Sequence, residues 1–123
     1  MNAFTPATQN GYAAAANMMQ PARDVEYDAF SRVTRMLRQA ASQDSTRDTI
    51  GAVHKNNELW TILAADLADP GNALPDEVKA GLLSLAGFSI RHGHAVMSGS
   101  ATTDALIDIN LSVMKGLRGE VAA

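Results

Sequence analysis

The stretch Ser45–Leu67, STRDTIGAVHKNNELWTILAADL, decides the fold. Ile50, Val53, Asn57, Trp60, Ala64 and Leu67 follow one another in steps of three and four. That period gathers them on one side of an α-helix, whereas a strand repeats every second residue. Leu59, Ile62 and Leu63 broaden the stripe, so this helix is expected to be the most buried of the chain. Ser45 and Asp48 stand in the S-x-x-D arrangement of a capping-box-like start. At the other end, Asp69-Pro70-Gly71-Asn72 is a turn: proline presets φ, and glycine and asparagine tolerate positive φ.

Upstream, a helix is expected from Pro21, whose fixed φ and missing N–H suit a first helical position. Asp24 and Glu26 then complement the positive end of its dipole. Val25, Ala29, Val33, Met36 or Leu37, and Ala40 give it an apolar stripe, and Ser42-Gln43-Asp44-Ser45 ends it. Residues 1–20 have helix propensity at Tyr12–Met19 but little to bury, which reads as a frayed helix or mobile arm.

Downstream, Pro75 opens a third helix with Asp76 and Glu77 in its first turn. Val78, Leu82, Leu85, Ser89 and Val96 mark its inner face toward Gly99. Gly81, Gly87 and Gly93 each cost about 1 kcal/mol against alanine, and close approach of a neighbouring helix is the expected compensation. A fourth helix begins at Thr102 or Thr103 and carries Leu106, Ile109, Val113 and Leu117. The whole reads as an all-α protein, a small antiparallel bundle of about four helices over 21–123 preceded by the 1–20 arm. Its expected core includes Trp60, Val53, Leu67, Leu82 and Leu85.

Composition narrows the function. The 123 residues are 46% hydrophobic and 19% charged, a globular balance for one domain. Cysteine is absent, which removes disulfides and thiolate metal sites and fits a reducing compartment. The N-terminus has no basic and apolar leader pattern, and no apolar run is long enough to span a bilayer, so a cytoplasmic location without membrane insertion is expected. A net charge of -3 disfavours nucleic acid. The one basic cluster, Arg32, Arg35 and Arg38, lies near Asp24, Glu26 and Asp28.

No pattern for catalysis or cofactor binding emerges. His92 and His94, two residues apart on a helix, point about 200° apart and cannot share a metal ion there. Asp104 with Asp108, and Asp66 with Asp69, sit beside helix ends and read as solvated charge rather than acid/base pairs. Neither a dinucleotide-binding glycine motif nor a phosphate loop is present. The chain is thus expected not to be an enzyme. Trp60 reads as a core anchor. Methionine, flexible and polarizable, suits adaptable surfaces, which draws attention to Met18 and Met19 on the arm.

Several segments together resemble the FlaF family of flagellar biosynthesis regulators of alphaproteobacteria. The similarity centres on Asn57-Glu58-Leu59-Trp60 running to Asp66-Leu67, then Asn72-Ala73-Leu74-Pro75 before the small-residue helix Val78–Leu85. Pro21-Ala22-Arg23-Asp24 resembles the family's proline-arginine-acidic opening, with Ala22 interposed, and Leu106-Ile107-Asp108-Ile109-Asn110 is also similar. The resemblance implies a cytoplasmic helper of flagellin, needed for its production or export and acting beside the regulator FlbT. It brings no catalytic residues with it.

Flagellin's long amphipathic terminal helices would associate if left free, and a bundle with an apolar groove can shield one of them. Leu59, Leu63, Leu83 and Phe88 are the expected groove residues, with Met18 and Met19 as a flap. The alternative is a post-transcriptional regulator of flagellin messenger RNA, acting directly through the arginine row or with FlbT.

Overall fold

A computed structural model of the chain describes residues 20–117. Four helices follow in order: α1 (Gln20–Gln43), α2 (Thr46–Ala68), α3 (Asp76–Met97) and α4 (Asp104–Leu117), with no strand among the described residues. The protein is all-α, a small bundle. The expected 1–20 arm falls outside the described residues except for Gln20, the first of them, which is already helical.

The helix boundaries follow from local chemistry. The α1–α2 elbow closes by Ser45 N–H donating to the Ala40 carbonyl at 3.3 Å, with Asp44 in the left-handed region at φ 51°. Ser45 then caps α2, its Oγ accepting from the Asp48 N–H at 3.2 Å. In the next turn, Asp69 Oδ1 accepts from the Gly71 N–H at 2.8 Å and Asn72 Oδ1 from the Leu74 N–H at 3.0 Å. Pro75 precedes α3 rather than opening it, and Asp76 and Glu77 occupy the first turn. Gly99, at φ 85°, ends α3, where the Ser100 N–H donates back to the Ala95 carbonyl at 2.9 Å.

Each helix packs on two others: α2 on α1 and α3, and α4 on α1 and α3. Phe30 and Trp60 sit at matching distances from the elbow, and their rings meet edge to face with centroids 5.3 Å apart. One core cluster gathers Phe30, Trp60, Leu63, Leu67, Ala86 and Val113. A second gathers Val33, Leu37, Ala52, Val53, Val96 and Leu106. Leu82 and Leu85 are partly buried and pack against the first cluster.

The buried face of α2 differs from the expected stripe. It runs Ala52, Val53, Asn56, Trp60, Leu63 and Leu67, while Ile50 is 44% and Ile62 67% exposed. Both isoleucines were expected inside. Val78, expected on the inner face of α3, is also exposed. The cause is composition: α2 carries apolar residues around more of its circumference than its two neighbours, α1 and α3, can cover, so period alone leaves the centre of the stripe open by about one residue.

Gly93 alone of the three α3 glycines meets a neighbouring helix. A Cβ there would lie 2.5 Å from Asn57 Oδ1 and 3.1 Å from Val53 Cγ1. At Gly81 nothing stands within 4 Å, and at Gly87 the nearest atom belongs to Arg91 of the same helix. The close-approach expectation is therefore corrected for Gly81 and Gly87.

Candidate functional site

The buried polar residues come first, because a closed apolar bundle has little reason to hold them. Trp60 Nε1 donates to Asn110 Oδ1 at 3.0 Å, and Asn110 Nδ2 donates to Asn56 Oδ1 at 2.8 Å. This chain crosses the bundle from α2 to α4, and all three side chains are fully buried. Asn56 Nδ2, Asn57 Oδ1 and Ser89 Oγ are buried without a hydrogen-bond partner among the described residues. The network ties helices together and offers no nucleophile or titratable group. Sequence reasoning placed Asn57 on the inner stripe and passed over Asn56 and Asn110. An asparagine within an apolar period (Leu106, Asn110, Val113) was the available signal.

The titratable side chains are dispersed. His92 Nε2 lies 2.9 Å from the Thr102 carbonyl, a bond that requires a proton on that nitrogen, and the His92 ring stacks on Phe88 at 5.5 Å. His94 is exposed. His54 and Lys55 both approach Glu58, at 3.6 and 3.4 Å. Asp104 and Asp108 are exposed, and Asp66 accepts only a long bond from Asn72, 3.4 Å. Among the described residues, no group of three His, Cys, Asp or Glu side chains could hold a metal ion. No described helix is long and apolar enough to cross a membrane.

The expected groove residues do not assemble into one groove. Leu63 is buried in the first core cluster, 8% exposed, because it lies on the inner face of α2 between Trp60 and Leu67. It is a core residue and not a contact residue. Leu59 is partly buried and packs against both clusters. Leu83 and Phe88 are exposed, but five residues of helix set them about 140° apart around α3. They cannot line a single narrow groove. Met18 and Met19 lie outside the described residues.

A groove does exist elsewhere, between the last turns of α1 and the first turns of α2. Met36, Gln39, Ala40 and Gln43 line it on the α1 side, and Arg47, Asp48, Gly51, Ala52 and Lys55 on the α2 side. Arg32, Arg35 and Arg38 are all exposed along α1, and none has an ion-pair partner among the described residues.

The family model described as flagellar protein FlaF matches residues 8–117. No curated protein and no solved structure matches the chain.

Proposed function

The chain belongs to the FlaF family of flagellar proteins, and we propose that it binds flagellin in the cytoplasm as a chaperone or adaptor. In this role it supports flagellin production and export by association rather than by catalysis. The observation that carries the reading is the apolar surface left outside the bundle. Ile50, Ile62, Val78, Leu83 and Phe88 are 38–67% exposed, although each is large enough to be worth burying. Full burial of such a side chain from water contributes about 1.5–3 kcal/mol, and a docked amphipathic helix gains the uncovered share of those that lie on the face it meets.

The test is direct. Full-length flagellin titrated into the full chain by calorimetry should give a saturable, stoichiometric complex that survives size-exclusion chromatography. Absence of heat and of co-elution would remove the chaperone reading.

A second reading has one specific observation in its favour. Arg32, Arg35 and Arg38 stand exposed and without acidic partners among the described residues, as phosphate contacts would require. Direct action on flagellin messenger RNA then predicts an affinity that falls steeply with salt. It also predicts loss of the RNA shift when the three arginines become alanine.

A further inference from the structure

We infer that the groove between α1 and α2 is the seat of the partner, and that it takes an amphipathic helix whose apolar ridge is flanked by acidic side chains. The inference rests on the flagellin reading above and adds to it the place and the chemistry of contact.

The floor is apolar and shallow for a physical reason. Gly51 is exposed and a Cβ there would find nothing within 4 Å, so the surface of α2 is open to the depth of its backbone. Ala40 and Ala52 beside it are buried and small, and Met36 is half-buried at the edge. The space is an open trough of about 420 Å³ rather than an enclosed cavity. Small residues in a row let a second backbone come close, and an adaptable methionine fits its side chains. Gly51, Lys55 and Ile62 lie within about 40° of one another around α2, so the trough's line continues toward Ile62. At 67% exposure Ile62 is the least covered of the large apolar residues.

Charge decides what kind of helix fits. Arg47 and Lys55 stand on the α2 side against Asp48, and Lys55 also reaches Glu58 at 3.4 Å. The α1 bank itself is uncharged, formed by Met36, Gln39, Ala40 and Gln43, and Arg32 lies just beyond it, exposed, one turn before Met36 on nearly the same line of α1. Around the trough Arg32, Arg47 and Lys55 therefore outnumber Asp48 and Glu58, a local positive excess in a chain whose net charge is -3. Complementary charge on the partner would steer docking and fix its register. A polyphosphate would use these cations and leave the apolar floor unused, which favours a helix over RNA as the occupant.

The experiment compares the full chain with three variants against full-length flagellin by calorimetry at low and high salt. Gly51→Leu fills the trough at a position with open space, and the circular dichroism melt should be no lower than that of the parent. The expected result is at least a tenfold loss of affinity. Arg32→Glu combined with Arg47→Glu should lower affinity by a similar factor and flatten its salt dependence. Lys115→Glu, an equal charge reversal on α4, should bind as the parent does.

Flagellin binding that is unchanged in both Gly51→Leu and the double arginine variant would overturn the groove while leaving the chaperone reading standing. Failure of the parent chain to bind flagellin would overturn both. Retention of an RNA complex by Gly51→Leu but not by the arginine variant, with no flagellin effect, would assign these cations to nucleic acid instead. A parent dimer that Gly51→Leu disperses, with flagellin binding unaffected, would assign the trough to a second copy of the chain.

Discussion

Trp60 on α2 and Asn110 on α4 are joined by a 3.0 Å hydrogen bond across the centre of the bundle, and neither side chain reaches solvent. Their helices share no backbone contact, so side chains alone bridge this diagonal. Asn110 spends its carbonyl on Trp60 and one amide proton on Asn56, leaving little choice of register for α4. A buried asparagine that costs stability but fixes helix position is a known use of polar groups in helical cores.

Trp60→Ala should cost about 3–5 kcal/mol, a large share of a small domain's stability, and leave the chain unfolded or molten. Trp60→Phe keeps most of the packing but strands Asn110 Oδ1, for about 1–3 kcal/mol. Combining Trp60→Phe with Asn110→Leu isolates the coupling, and urea melts of the four members of the cycle measure it. Strict additivity would mean that the bond holds nothing.

Alanine at two glycines of α3 should act in opposite directions. Gly93→Ala drives a Cβ into Asn57 Oδ1 and the fully buried Val53, and should destabilise by about 1–3 kcal/mol. Gly81→Ala meets open space and should stabilise by up to about 1 kcal/mol. Thermal melts decide, and Asn57→Ala should rescue part of the Gly93→Ala loss by vacating the nearest atom.

Leu63→Ala opens a cavity in the first core cluster and should cost about 2–5 kcal/mol. Leu83→Ala removes a side chain already 38% exposed and should cost less than about 1 kcal/mol. Equal losses in chemical denaturation would show that these two leucines do not differ in burial as described.

The left-handed residues at two helix ends make a matched pair. Gly99→Ala places a Cβ at φ 85° and should cost about 1 kcal/mol. Asp44→Gly relieves a non-glycine residue at φ 51°, and should raise the melting temperature slightly or leave it unchanged. A clear drop for Asp44→Gly would mean that its side chain contributes more at the elbow than its backbone conformation costs.

Helix number and most boundaries could be read directly, because capping and turn chemistry act over three or four residues. Ser45 before Asp48, the Asp69–Asn72 turn and Gly99 each work through neighbours in the chain. Apolar period placed Trp60, Val53 and Leu67 inside for the same reason. Which of the remaining apolar residues would be covered was not legible. Ile62 and Leu63 are adjacent and similar in hydrophobicity, yet one is 67% exposed and the other 8%. Their difference is a rotation of 100° about α2, and only the positions of α1, α3 and α4 give that rotation a meaning. The same holds for Gly81 against Gly93, and for the expected groove at Leu59, Leu63, Leu83 and Phe88. The sequence by itself determined an all-helical chain with its caps, turns and central tryptophan, since those are local interactions. Only the tertiary structure decided that Asn56 and Asn110 meet, and that a trough opens beside Gly51. Both depend on contacts between helices far apart in the chain, which no local pattern records.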